Sequence, residues 1–460
     1  MIELPDLRRA AREIFAEALK RVDAGRAVRC AVRLDGPRLS ILDTTFDLAA
    51  RRSGIYVIAV GKAARPMAAA LDEILGDRLA AAILSSSATG EPAYASLAEH
   101  HFNDRWQVFA GGHPLPNEAS LRAAQAAFEL LRRADAERGL VIFLISGGGS
   151  AMIEWPRDEQ TTLEELREAN RVLVSCGATI AEINAVRRAV SLIKGGGLAA
   201  RAPRADQVSL IVSDTNVGDE RDVASGPTFE RAPDALNAER VVRRYGLASR
   251  LPAPILRAIN QPPEQGAETA RHSLRKHHVL LDNGRAIAAA AEAARSRGFT
   301  VEVARDLVEQ PIAEGCAQLL SRLFDLGQRT AGEGRAVCLI SGGEFACPVN
   351  GSGIGGRNSE TALRCAIGLD EHERAARQKK PMAAHVVVLS AGTDGIDGNS
   401  AGAGALADET TLARARALGL DAHSFLARSD AYTFFEALGD LLMSGPTGTN
   451  VRDLRIALAC

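Results

Sequence analysis

Residues Ser390–Gly404, SAGTDGIDGNSAGAG, place two carboxylates, Asp394 and Asp397, among five glycines and three hydroxyl side chains. Glycine buries no side chain and an unpaired buried carboxylate is costly, so a plain core has no use for this mixture. A site for a polyanion and its metal does. Glycine lets the backbone come close, successive N–H groups face the anion, and carboxylates hold a hard cation.

Four further stretches carry the same theme. Ser146-Gly147-Gly148-Gly149-Ser150 sets three glycines between two serines, the make-up of an anion-binding nest or of a flexible strand exit. Gly61-Lys62 puts a lysine just inside a helix start, where it either reaches a phosphate or carboxylate or points into solvent. Asp214 ends the apolar run Val208–Val212 and is followed by Asp219; such a carboxylate caps a helix, holds Mg²⁺ or takes a proton. Ser341-Gly342-Gly343-Glu344 repeats the pattern and leads into Gly351–Gly356, Arg357 and Asn358. Arginine inside a glycine run is hard to explain as scaffold, and its planar fork suits phosphate or carboxylate. Glu182, Asn184 and Arg187 on the stretch 177–197, and His113 in GGHPLPN, face either a ligand or ordinary surroundings. There is no GxxxxGK[ST] loop, and no Ser-His-Asp or Cys-His pattern with a nucleophile elbow, which argues against acyl transfer.

The elements that must position these loops follow from hydrophobic periodicity. An amphipathic helix is expected over Asp6–Val22. Short buried strands are expected at Ile55–Val60, Ala81–Ser85, Leu140–Ile145 and Val208–Val212, alternating with helices at Ala63–Leu75, Glu118–Ala134, Thr162–Ser175 and Ile180–Ile193. After a break over Phe229–Pro254, strands at His278–Leu281, Thr300–Val303, Val337–Ile340 and His385–Leu389 alternate with helices at Ala286–Ser296, Pro311–Leu326, Asn358–Leu369 and Asp408–Leu418. Alternation of this kind implies parallel sheet covered on both faces. The expected architecture is α/β: an N-terminal Rossmann-like lobe over 1–245, a smaller C-terminal α/β lobe over 246–460, and a cleft between them. The glycine loops fall at strand carboxyl ends, where open α/β sheets bind ligands.

Bulk properties narrow the class. The 460 residues are 46% hydrophobic and 24% charged, with a net charge of -2, which fits a globular enzyme and gives no support for nucleic-acid or anionic-membrane partners. No apolar run approaches a membrane span, and the opening MIELPDLRRAAREIF lacks the apolar centre of a signal peptide. Seven scattered cysteines without a CxxC suggest neither a disulfide framework nor a zinc site. The expectation is a reduced, cytoplasmic protein; a homodimer is allowed but not specified.

Taken together and in order, VGKA (60–63), GGHPLPNEAS (111–120), ISGGGSAM (145–152), EINAVRR…IKGG (182–196), VSD (212–214), ASGPT (224–228), ISGGE (340–344), GGRN (355–358), AGTDGIDG (391–398) and SGPTGTNVRDL (444–454) resemble the MOFRL-type (class II) glycerate 2-kinase family across nearly the whole chain. The resemblance implies ATP-dependent phosphorylation of D-glycerate at its 2-hydroxyl, giving 2-phosphoglycerate and ADP with Mg²⁺. It places the family's catalytic lysine and arginine on Lys62 and Arg357. Asp214 then orients or deprotonates the hydroxyl, and Asp394, Asp397 and Glu344 are candidate Mg²⁺ ligands. Ser146, Gly147, Gly148, Gly149 and Ser150, with Gly355, Gly356 and Asn358, are expected to cradle nucleotide phosphates. The segment Asp214–Asp219 departs from the family's SDVxGD by one residue, so substrate choice attaches to it. Two rivals stand beside this reading. An NAD(P)H-dependent hydroxypyruvate reductase requires a strand followed by GxGxxG and a downstream acid, which no stretch supplies. A non-catalytic phosphosugar-binding regulator explains the glycine nests but has less need of Asp214, Asp394 and Asp397 together.

Overall fold

The computed structural model describes residues 2–49, 53–87, 100–230, 236–261, 273–330, 334–376 and 385–460. The chain divides into two compact units, one formed between Ala24 and Leu281, the other combining the N-terminal 23 residues with Asp282–Cys460. Among the described residues no helix is long and apolar enough to cross a membrane.

The first unit is built on a six-stranded sheet in the order Trp106–Gly111, Leu79–Ser87, Ile55–Val60, Leu140–Ser146, Asp206–Val212, Arg275–Leu281, with every neighbouring pair parallel. The central strands are apolar throughout and buried residue by residue, as a sheet covered on both faces requires. Tyr56, Ile58, Val60, Val141, Phe143 and Ile145 pack against Ala123, Ala127 and Leu131 of the helix Glu118–Glu137. Helix starts follow local chemistry. Asn117 and Ser120, Thr162 and Glu165, and Thr179 and Glu182 form reciprocal capping boxes at the helices Glu118–Glu137, Leu163–Ser175 and Ile180–Val190. A three-stranded antiparallel meander, Val32–Asp35, Arg38–Ile41 and Thr44–Asp47, was not expected from the sequence. Its strands are only four residues long, too short to establish a period of two.

The second unit carries a six-stranded mixed sheet: Thr300–Val303, Val337–Gly343, Asp453–Ala459, Val386–Gly392, Gly404–Asp408, Leu441–Leu442. Asp453–Ala459 runs antiparallel to both central neighbours, which are therefore parallel to each other. The sheet is covered on both faces, but it is not the parallel sheet that alternation implied. Alternate residues divide between the faces. Cys338, Ile340, Val387, Leu389, Ile456 and Leu458 join one core, while Val337, Leu339, Val386, Val388, Ala457 and Ala459 join the other.

Two boundaries differ from expectation. The first sheet is not complete near residue 245, because Arg275–Leu281 is its edge strand and Ile255, Ala258 and Ile259 pack with Leu166 and Val186. The first helix, Leu4–Arg21, belongs to the second unit: Leu7, Ala11, Ile14 and Ala18 share a core with Ala290, Ala294, Ile340 and Ile456. Periodicity shows that a helix has an apolar face but not which sheet covers it. Ile14 is fully buried there, so Ile14→Ala leaves a cavity and is expected to destabilise the protein by about 3 kcal/mol in denaturant unfolding. A loss under about 0.5 kcal/mol, the range of a neutral surface change, would place this helix outside the core.

Candidate active site

In the first unit, three parallel neighbours bring the predicted residues to one edge. Val60 pairs with Ile145 and Ser146 with Val212, so the carboxyl ends of these strands deliver Lys62, the Gly147–Gly149 run and Asp214 side by side. The loops interlock through backbone. The Lys62 amide donates to the Gly147 carbonyl at 2.9 Å, and the Ala63 amide to Ser146 Oγ at 3.0 Å. A β-carbon on Gly147 would stand 1.9 Å from Asp214 Oδ2, and one on Gly61 2.3 Å from Ser146 Oγ. Gly148 lies at φ +80°, and a β-carbon there would come within 3.2 Å of Lys62 Cγ and 3.0 Å of His113 Cδ2. Lys62, His113, Asp214 and the glycine turn thus form one cluster in which Lys62, His113 and Asp214 all reach solvent.

The structure gives several neighbouring residues structural duties. Ser146 is fully buried; its hydroxyl accepts from Ala63 and donates to the Val60 carbonyl at 3.4 Å, so its side chain shapes the Lys62 turn instead of cradling phosphate. Ser150 shares a 3.0 Å hydrogen bond with Ser225, which donates to Asn184 Oδ1 at 3.0 Å. Glu182 accepts from the Thr179 amide, Arg244 and Tyr245, and therefore holds its own helix start. Lys194 is buried against Glu154, and burial pulls its pKa down against the pull of that carboxylate. Asp219 is exposed. His113, for which the sequence allows either ligand contact or loop closure, lies like Lys62 beside Gly148.

The second unit assembles another cluster at the strand ends Gly343 and Gly392, with Asp453 opening the antiparallel strand between them and paired to both. Arg357 begins the helix Arg357–Ala376. Its Nε donates to Asp453 Oδ2 at 2.5 Å, and its Nη2 meets Glu344 Oε1 at 2.7 Å. Burial disfavours its charge, but Asp453 and Glu344 outweigh that and raise its pKa, so the guanidinium stays charged. Asp394 accepts from the Ile396 amide at 3.2 Å. A β-carbon on Gly392 would meet Asp394 Oδ1 at 3.0 Å and Asp453 Oδ1 at 3.5 Å, which places both carboxylates beside that glycine. The Ser444–Asn450 stretch packs on the same loop, with the Thr447 amide donating to the Asp394 carbonyl at 3.2 Å.

Here too, several expected ligand-binding residues have other roles. Asp397 is buried, and its two oxygens accept from the Asn358 amide at 2.9 Å, the Ser359 amide at 2.8 Å and Ser359 Oγ at 2.7 Å. Burial pushes its pKa up against those donors. It caps the Arg357 helix, and both of its oxygens already have protein donors. Glu344 is a partner of Arg357 before it is a metal ligand. Asn358 is buried and accepts from Ser390 Oγ at 2.7 Å, so its side chain faces inward. The Gly355 amide donates to Asn399 Oδ1 at 2.8 Å and the Gly356 amide to Ser359 Oγ at 3.2 Å. A glycine whose N–H is already bonded does not cradle phosphate through it. Sequence reasoning misses Asp453, because a single acid before an apolar run reads as a turn residue.

Each unit is thus an α/β layer that carries a cation, carboxylates and glycine at strand carboxyl ends, the features of a site for anionic small molecules. Comparison with known proteins gives the family. Residues 10–260 match a domain of unknown function, DUF4147, and residues 337–453 match the MOFRL family. The chain is 32% identical to the D-glycerate 2-kinase of Thermotoga maritima over the full length of both. It is 34% identical to the glycerate kinase of Homo sapiens over 97% of this chain and 92% of that one. A crystal structure of a Thermotoga maritima glycerate kinase aligns with a TM-score of 0.77 at 31% identity, covering 99% of each chain. The chain belongs to the MOFRL-type glycerate 2-kinase family.

The reassignment of Asp397 is directly testable. As a helix cap with three donors, Asp397→Ala is expected to lower stability by about 2 kcal/mol in metal-free buffer. A metal ligand would behave differently: metal-free stability would be unchanged and only a Mg²⁺-dependent increment would be lost.

Proposed function

We propose that this protein is an enzyme that transfers the γ-phosphoryl group of ATP to the 2-hydroxyl of D-glycerate, producing 2-phosphoglycerate and ADP. The observation that carries the reading is the placement of Lys62 and Asp214 beside the Gly147–Gly148 turn, in a chain that matches a D-glycerate 2-kinase from end to end. Both substrates are anions. The transfer itself requires little covalent chemistry and much alignment and charge neutralisation.

The geometry supports the following assignment of roles. The glycerate 2-oxygen attacks the γ-phosphorus, the bond to the β–γ bridging oxygen breaks, and the hydroxyl proton passes to Asp214. Lys62 neutralises charge on the phosphoryl group or the substrate carboxylate. Arg357 has Nε and Nη2 engaged by Asp453 and Glu344, and we assign Nη1 to an anionic oxygen of the substrates. Backbone amides of Gly147–Ser150 are assigned to nucleotide phosphate. Among the described residues no three of His, Cys, Asp or Glu converge as a metal cage. Mg²⁺ in phosphoryl-transfer sites is held by one or two carboxylates together with the phosphates, a demand that Asp394 meets. Bound there, Mg²⁺ would screen the nucleotide's negative charge. A cytoplasmic setting, where ATP and Mg²⁺ are at hand, fits this chemistry.

Removing a cation that acts on the transferring group costs about 3 kcal/mol, or about a hundredfold in rate. Lys62→Ala and Arg357→Ala are therefore each expected to release ADP from ATP and D-glycerate at least about a hundredfold more slowly than the parent protein, with unchanged circular dichroism. Near-parental ADP release in both variants would refute these assignments. Oxidation of NAD(P)H with hydroxypyruvate and no ADP would refute the kinase reading itself.

A further inference from the structure

A second cluster of arginines lies in the second unit, away from the strand exits. Arg8, Arg9 and Arg12 of the first helix and Arg414 of the helix Thr411–Ala417 line an open cavity of about 630 Å³ together with Asp408 and Thr410. Asp408 pairs with Val387, whereas Asp453, the partner of Arg357, pairs with Gly392 at the other end of the same strand. Five residue steps, roughly 17 Å of strand, separate the two places.

The charges in this cavity do not balance. Asp408 and Asp440 are buried, and each is engaged by both Arg8 and Arg414. Asp408 also accepts from the Thr410 amide at 2.7 Å and from Thr410 Oγ1 at 2.6 Å, which fills its remaining lone pairs. Arg9 pairs on the surface with Asp6 at 2.7 Å. Arg12 is half-buried and in no ion pair among the described residues; Arg8 repels it while Asp408 and Asp440 act on it only at a distance. A partly buried guanidinium without an acceptor is costly. The chain instead keeps it on the wall of a cavity large enough for a small metabolite.

We propose that this cavity is a second ligand site, independent of the strand exits, which takes the phosphate group of a small phosphorylated molecule. Arg12 supplies the open donor fork, and Arg8 and Arg414, fixed by Asp408 and Asp440, supply a preset cationic wall. A terminal phosphate offers three oxygens to guanidinium donors on different elements, where a carboxylate offers two. Because the first helix and the helix Thr411–Ala417 both contribute, an occupant ties the N-terminal helix to the edge of the sheet.

The test uses the full chain with inorganic pyrophosphate as probe, followed by calorimetric titration and thermal unfolding. The parent protein is expected to show saturable binding and a rise in Tm. In Arg12→Gln the midpoint should move at least about tenfold to weaker binding, as loss of a charged hydrogen bond implies. Its Tm without probe should not fall, since Arg12 has no ion pair to lose. Arg9→Glu, on the exposed rim, should weaken the same event several-fold, and it decides the matter should Arg12→Gln fail to fold. Binding retained in both variants belongs to the strand exits, and identical midpoints in all three proteins would overturn the proposal. Equal stabilisation by citrate at matched ionic strength would overturn the phosphate assignment.

Discussion

Close approach of backbone to polar side chains at strand ends is the constraint on which this structure turns. A carboxylate oxygen of Asp214 occupies the space that a β-carbon on residue 147 would need, at 1.9 Å. In the other unit a β-carbon on Gly356 would stand 2.4 Å from Asp397 Oδ1, and one on Gly342 1.9 Å from Asn283 Oδ1. No side chain larger than hydrogen fits at such positions. These glycines are therefore less flexible hinges than places where polar groups are pressed onto the main chain. What this achieves is preorganisation: carboxylates and cations reach the strand ends already bonded, with little left to reorganise when a charged ligand arrives.

The same economy gives many conspicuous residues partners within the protein. Asp397 caps the helix that presents Arg357, and Asn283 accepts from the Gly343 amide at 3.0 Å while donating to the carbonyls of Val451 and Asp453. Arg455, fully buried, donates to Ser341 Oγ at 2.8 Å and stacks on Phe345. Around Arg357 there is thus a layer of polar groups whose donors and acceptors are met within the protein, as a buried polar network requires. Ser146 does the equivalent for Lys62. Under the proposed function, the residues assigned to the substrates are Lys62 and Asp214 in one unit and Arg357 and Asp394 in the other.

Much of this is legible in the amino-acid sequence. Strands such as Ile55–Val60 and Val386–Gly392 are runs of β-branched and aliphatic residues ending in glycine or a turn, and helix starts such as Thr179–Glu182 carry their caps in sequence. Lys62, Asp214 and Arg357 stand out because charge beside glycine at the end of an apolar run has few structural explanations. What stays hidden is non-local. The allegiance of Leu4–Arg21 to the second sheet depends on a core assembled from residues far along the chain, such as Ala290, Ile340 and Ile456. The antiparallel insertion of Asp453–Ala459 reverses a direction that alternation alone suggests. The capping role of Asp397 and the clamp of Asp453 on Arg357 join residues 38 and 96 positions apart, beyond the reach of any local pattern.

The central claim is that the preset strand ends serve phosphoryl transfer to the 2-hydroxyl of a small hydroxy acid. The most direct measurement is ³¹P nuclear magnetic resonance of the purified protein incubated with Mg²⁺-ATP and D-glycerate. The account predicts that the ATP signals give way to those of ADP and of a phosphomonoester coupled to the single C2 proton. An unchanged ATP spectrum, a phosphomonoester coupled to the C3 methylene protons, or ADP with inorganic phosphate and no phosphomonoester would contradict it.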